Sequence, residues 1–280
     1  MNVIALHSGT WVSLQAQRER LPHALLLVGQ RGLGKFALAQ AFAKSLLCEQ
    51  PLNGGHFCGK CLACNWFDQE NHPDFRLLRP QALVEEADAE EGKKRASQQI
   101  IIDQVRALED FFNVGTHRAG LKIIVVNPAD AMNRNTANAL LKILEEPAPG
   151  TLFLMVSNEP LRLLPTIRSR CQLIPVGVPR AAVAEAALAA EGITQPARWL
   201  ALAGGSPSVA IELATAQEGG WLDILTQRLA AKGELDPIAL AVDLEKVIRE
   251  SKGKLALKSI VEAMQKWLVD LMLASNGLPV

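Results

Sequence analysis

The stretch VGQRGLGKFALA, residues 28–39, carries the spacing of a phosphate-binding loop: Gly29, four residues, Gly34 and Lys35. In such a loop the backbone N–H groups at a helix N-terminus and the lysine ammonium hold phosphate oxygens. The pattern then asks for Ser or Thr, whose hydroxyl helps hold Mg²⁺, and this chain has Phe36. A second set of reactive residues follows. Cys48, Cys58, Cys61 and Cys64 stand in C-x9-C-x2-C-x2-C spacing within CEQPLNGGHFCGKCLAC. Four thiolates close a tetrahedral zinc site and leave no position open for a substrate, so the role implied is structural. An iron–sulfur cluster is the rival soft-metal reading, but its dense four-Cys run ending in Cys-Pro is absent. His56 and His72 are substitute ligands if Cys48 stays in the preceding helix, and otherwise ordinary surface histidines. A set of reduced, buried thiols is a poor fit to three Cys in seven residues of Gly-rich loop.

These residues need elements to position them. ALLLV, residues 24–28, is a short apolar run stopped by Gly29 and reads as a buried strand; FALAQAFAKSLLC places small and apolar residues at helical spacing. Strand, Gly-rich turn and helix thus come in the order the loop requires, which a chance Gly-Lys match would not supply. Residues 48–72 read as an insertion. DFRLLRP is a second strand, and the charged run ALVEEADAEEGKKRASQQ a solvated loop. IIIDQVRALEDFFN is an amphipathic helix after an apolar entry, and LKIIVVN the clearest buried strand. NRNTANALLKILEEP is a helix capped by Asn133 or Asn135, with Ala137, Leu140, Leu141 and Leu144 on one face and Pro147 beyond its end. TLFLMVSN is a strand, LLPTIRSRC a turn with a short helix, and QLIPVGV an edge strand.

Strands alternating with helices to residue 178 predict an α/β domain whose parallel sheet is covered on both faces. From Pro179 onward only helical patterns remain, punctuated by Gly204–Gly205 and Gly219–Gly220. The division expected is an α/β P-loop domain over 1–178 with the zinc-binding insertion at 48–64, a small helical domain over 179–213, and an all-α bundle over 214–280. The last bundle is short, as in a truncated version of a longer chain.

The nucleotide site lacks parts. The strand IIVV runs into Asn127–Pro128–Ala129–Asp130, where an acidic pair would serve the metal and the attacking water. Asn127 is a neutral ligand, Pro128 is no base, and Asp130 lies too far along to replace them without a rearrangement. Loss of the hydroxyl, the metal carboxylate and the base together predicts no hydrolysis; weak phosphate or nucleotide binding through Gly29, Gly34 and Lys35 is what survives. An active ATPase using Asp130 for the metal, and a zinc-dependent nucleic-acid module built on CGKCLAC, are the competing readings. Lys plus Arg and Asp plus Glu are each 29, so the chain has a net charge of +0, which argues against strong nucleic-acid affinity of its own. Five Cys, clustered, suit a reducing compartment, and no secretory signal or membrane-length apolar run is present, so cytoplasm is the expected location.

The cysteine module after the loop helix, NALLKILEEP after the degenerate second motif, and SRC at 169–171 together resemble the AAA+ clamp-loader subunits of bacterial DNA polymerase III, nearest the delta-prime family. The resemblance covers roughly residues 1–215. The ATP-hydrolysing gamma/tau subunits of that class have Ser or Thr at the position of Phe36, an Asp–Glu pair at Asn127–Pro128, and a sensor Arg where this chain has Ser208; all three departures point away from them. The resemblance implies an AAA+ domain, a helical lid and a collar-like C-terminal bundle. It implies that Arg170 reaches in trans to ATP held by a neighbouring gamma/tau subunit, and that Asn158 occupies the first sensor position. It implies structural zinc, no hydrolysis of Mg-ATP by this chain, and gamma/tau and delta as partners. Sliding clamp and primer-template DNA would be met through the assembled complex, with no membrane contact.

Overall fold

The apolar runs pair in parallel. In the computed structural model, which describes residues 1–85, 97–116, 120–216, 220–230, 236–251 and 257–278, two units separate, Asn2–Gly177 and Val178–Val280, the second joined by Met1. In chain order the first holds α1 (Val3–Leu6), α2 (Ser8–Ala16), β1 (Ala24–Val28), α3 (Lys35–Leu47), α4 (Leu62–Asp68), β2 (Phe75–Leu78), α5 (Ala82–Glu85), α6 (Ile102–Asn113), β3 (Lys122–Val126), α7 (Arg134–Glu145), β4 (Thr151–Ser157), α8 (Pro165–Arg168) and β5 (Gln172–Pro175).

The sheet order is β2-β3-β4-β1-β5, every pair parallel. Pairing of Ala24 with Phe153 and of Lys122 with Thr151 brings the C-terminal ends of β1, β3 and β4 to one edge of the layer. Because side chains alternate along a strand, β1, β3 and β4 feed two cores. Leu25, Leu27, Ile123, Val125, Leu152 and Leu154 pack with Leu38 and Phe42 of α3 and with Trp11 and Leu14 of α2. Leu26, Ile124, Val126, Phe153 and Met155 pack with Val105 and Leu108 of α6, with Leu140 and Leu144 of α7, and with Ile167. β3 and β4 are buried along their whole length, as continuous apolar runs in a sheet covered on both faces must be.

The caps are local. The Asn133 side chain accepts from Thr136 N at 2.9 Å and starts α7. The buried ammonium of Lys122 donates to the carbonyls of Phe111 (2.5 Å), Phe112 (3.2 Å) and Val114, closing the C-terminal end of α6. Three helices here lie outside the sequence expectation. The N-terminal stretch folds as α1 and α2, and the cysteine insertion contains α4, capped by Cys61, whose sulfur accepts from Cys64 N. The charged run opens with α5; its residues 86–96 lie outside the described residues.

The second unit holds α9 (Ala181–Ala190), α10 (Pro196–Leu202), α11 (Pro207–Ala216), α12 (Trp221–Ala230), α13 (Pro237–Glu250) and α14 (Leu257–Ser275). Leu188, Trp199, Ala210, Trp221, Leu244 and Ile260 are buried in it. Helix α11 runs three residues past the boundary expected at 213, so that boundary cuts a continuous helix; Gly219, read as punctuation, lies outside the described residues. Among the described residues no helix is long and apolar enough to cross a membrane.

Candidate functional site

Where β1 ends, the chain makes the loop that the glycines require. A Cβ on Gly29 would lie 2.3 Å from the Val176 carbonyl oxygen, so only glycine lets the loop leave the strand against the chain after β5. Gly34 has φ +77 and directly precedes α3. Lys35, the first residue of α3, is buried, and its Nζ donates to Gln30 O at 2.6 Å and to Asn158 Oδ1 at 2.8 Å. Its ammonium is thus held by a carbonyl of its own loop and by the residue after β4. Burial lowers the Lys35 pKa to about 8, against the opposing pull of the Asp130 carboxylate.

Asp130 is nearer this site than its place in the sequence suggested. A 3-10 turn, Ala129–Ala131, follows β3 and lets Asp130 Oδ1 accept from Asn158 N at 3.0 Å. The turn folds the chain back toward the end of β4, and there the Asp130 carboxylate is engaged by the Asn158 N–H. Phe36 packs, partly buried, against the α3-side core. The peptide between Asn127 and Pro128 is cis. Ser208 lies in the first turn of α11, in the second unit.

His7, which carried no signal in the sequence, also belongs to the loop. Its Nε2 lies 2.6 Å from Leu33 O. A carbonyl only accepts, so the ring is the Nε2–H tautomer and donates. Burial lowers the His7 pKa, the Leu33 bond opposes this, and the charge of Lys35 lowers it further. Two of the loop's carbonyls, Gln30 and Leu33, are therefore engaged by side-chain donors.

The four cysteines come together as their spacing predicts. Their sulfurs all lie within 4.8 Å of one another, with Cys48 Sγ 3.9 Å from Cys61 Sγ. Zinc–sulfur bonds of about 2.3 Å in a tetrahedron put sulfurs about 3.8 Å apart, so the set is the right size for one ion. Backbone N–H groups point at the sulfurs: Cys58 N to Cys48 Sγ (3.3 Å), Lys60 N (3.4 Å) and Cys61 N (3.3 Å) to Cys58 Sγ, and Cys64 N to Cys61 Sγ (3.4 Å). Those from Lys60 and Cys61 hold the Cys58 thiol down at about 6, while burial pushes Cys48 and Cys64 up. α3 ends at Leu47, so Cys48 is free of the helix and turns toward the other three. Neither histidine joins them. His56 stacks on Trp11 at 5.4 Å, and His72 is buried with Nδ1 accepting from Asp74 N at 3.1 Å, so His72 is no surface histidine. The Cys loop is also tied to α2, through Trp11 Nε1 to Gly54 O (3.1 Å) and Gln15 Nε2 to Gly55 O (3.3 Å).

Arg170 follows α8 by two residues and is partly exposed. Its Nη1 donates to Thr166 O at 2.9 Å and its Nη2 to Glu145 Oε1, at the end of α7, at 2.7 Å. The next residue, Cys171, is partly buried, with its thiol pushed up to about 11 by burial.

The family model described as DNA polymerase III, delta subunit matches residues 10–179. The DNA polymerase III subunit delta' of Pseudomonas aeruginosa is 42% identical over 200 residues, 70% of this chain and 57% of that protein. The Escherichia coli protein of the same name is 35% identical over 217 residues, 76% and 61% respectively. The matched part of the chain thus spans about three fifths of the length of these relatives. Among solved structures, a gamma subunit-related protein of DNA polymerase III from Thermotoga maritima superposes with a TM-score of 0.49 at 18% identity, covering 92% of this chain and 82% of that one.

Proposed function

The chain belongs to the family of DNA polymerase III delta-prime subunits, and from that premise we propose that it is a non-hydrolysing component of the clamp-loader complex. It helps load the sliding clamp onto primed DNA by lending Arg170 to the nucleotide of a neighbouring gamma/tau subunit. The observation that carries this reading is the commitment of Lys35 to Gln30 O and Asn158 Oδ1 in a loop that has Phe36 for its metal-holding hydroxyl. Hydrolysis here through Asp130 would need Lys35 to leave both partners and Asp130 to give up the Asn158 N–H.

Arg170 suits a role in trans. Guanidinium is permanently charged and forked, matching γ-phosphate oxygens, and its present partners are one partly exposed carboxylate, Glu145, and the Thr166 carbonyl. In this reading the second unit divides into a lid and a collar. Leu268, Val269, Leu271 and Met272 of α14 are exposed, an apolar surface that suits assembly with other collar helices, those of gamma/tau and delta. Cys48, Cys58, Cys61 and Cys64 hold one structural zinc, which supplies a cross-link between the end of α3 and the start of α4.

The test is steady-state ATP turnover by gamma/tau with this chain, clamp and primed DNA, wild type against Arg170→Ala. The chain alone should be inactive, and the mixture should lose about tenfold or more with Arg170→Ala, since fingers supplied in trans reach ~10³–10⁵ in the strongest cases. Turnover by the chain alone that Lys35→Ala abolishes would overturn the reading.

A further inference from the structure

We infer that Lys35 is a positioning residue for Arg170, acting through the Asn158 side chain and the segment 158–170. The inference rests on the trans-acting role proposed for Arg170. A buried ammonium is costly unless its donors are used, and here they are used to join two loops rather than to hold phosphate.

Asn158 is the first residue after β4. Its side chain accepts from Lys35 and its backbone N–H donates to Asp130, so the start of the segment is held at two points. From there to Arg170 the chain is a succession of short turns. Arg162 N bonds to Glu159 O (2.9 Å), Leu163 N to Pro160 O (3.3 Å), Arg168 N to Leu164 O (3.1 Å) and Arg170 N to Ile167 O (3.1 Å). Leu163 and Ile167 anchor its middle in the core. Beyond Arg170 the chain enters β5, where Gln172 is in register with Leu25 of β1. Lys35 therefore adds a side-chain tie at the N-terminal end of this segment, one residue beyond the last β1–β4 pair, Val28 with Ser157. Loss of the ammonium frees the Asn158 side chain and leaves the chain there held by the Asp130 bond and the preceding Ser157–Val28 pair; the residual shift is passed along a continuous run of turns to the guanidinium. Misplacement by about 1 Å can cost ~10²-fold in rate; a segment still anchored at Leu163, Ile167 and β5 moves less.

The experiment uses the complex of this chain with gamma/tau and delta, in the presence of clamp and primed DNA. Lys35→Met, Lys35→Arg and Asn158→Leu are compared with wild type, alone and combined with Arg170→Ala. Lys35→Met and Asn158→Leu should each lower kcat for ATP about three- to tenfold while the KM for ATP and assembly on size exclusion stay unchanged. Lys35→Arg, which keeps the charge, should recover part of the loss. In the Arg170→Ala background neither variant should lower kcat further, because the residue they act through is gone. Wild-type kcat in both Lys35→Met and Asn158→Leu, alongside a clear loss in Arg170→Ala, would overturn this inference and leave the role of Arg170 standing. Losses that multiply in the combined variants would overturn it as well, since they would mean Lys35 acts by another route. No effect of Arg170→Ala would remove the trans-acting role and this inference with it.

Discussion

Arg170 Nη2 lies 2.7 Å from Glu145 Oε1, a bond between the last residue of α7 and the residue two beyond α8. Its two side chains are 34% and 44% exposed, and pairs this open to water contribute at most about 1 kcal/mol. The carboxylate is a weak holder of the guanidinium; in the trans-acting role proposed for Arg170, an incoming phosphate, with more charge and more acceptor oxygens, would outcompete it.

Glu145→Gln should therefore change the unfolding free energy by no more than about 1 kcal/mol in urea denaturation. Arg170-dependent stimulation of the neighbouring ATPase should persist at wild-type level or rise, because a competitor for the guanidinium is removed. A loss as deep as that of Arg170→Ala would mean the carboxylate itself takes part in the chemistry.

The cysteine site predicts a metal-dependent change seen in the tryptophans. Purified protein should carry about one zinc per chain by elemental analysis, and Cys64→Ser should lose it. Trp11 donates to Gly54 O and stacks on His56, both in the cysteine loop, so chelation should shift tryptophan fluorescence in the wild type and leave Cys64→Ser unaltered. Unchanged fluorescence after complete removal of zinc would show the loop holding its shape without the ion.

His7 predicts a pH dependence of stability. Its pKa in the folded chain is below 6.5, chiefly through burial. As pH falls through 6.5 the unfolded chain takes up a proton that the folded chain resists, so the unfolded state binds more protons and stability declines. The decline ends below the folded pKa, and above 6.5 the effect is absent. His7→Gln removes the titration, and Gln can still donate to a carbonyl. The stability difference between wild type and His7→Gln, followed by thermal melts from pH 8 to 5, should turn against the wild type below 6.5. A difference that is flat over that range would rule out a neutral buried His7.

The sequence by itself determined what is written in short-range relations. β1, β3 and β4 are apolar runs of strand length, stopped by Gly29, Asn127–Pro128 and the polar residues after Ser157. α7 was legible from Asn133 and from the recurrence of Ala137, Leu140 and Leu144, all of them buried. Cys58, Cys61 and Cys64 are close because two-residue spacings leave them nowhere else to go, and Cys48 joins them because α3 stops one residue earlier. Missing chemical groups are equally local, so Phe36, Asn127 and Pro128 could be weighed without a structure.

Only the tertiary structure decided what those residues touch. Lys35 and Asn158 are 123 positions apart, His7 and Leu33 are 26 apart, and Arg170 and Glu145 are 25 apart. No periodicity or spacing encodes these pairs. Lys35 meets Asn158 because parallel β1, β3 and β4 all end at one edge of the sheet and the loops that leave them are stacked within hydrogen-bond reach; Arg170 meets Glu145 at the opposite edge, where α7 returns to β4 and the chain enters β5. The same stacking brought Asp130 back to Asn158 and turned a phosphate-loop lysine into a tie between two strand ends. Which donors and acceptors meet there follows from register and crossover, and those are properties of the folded chain.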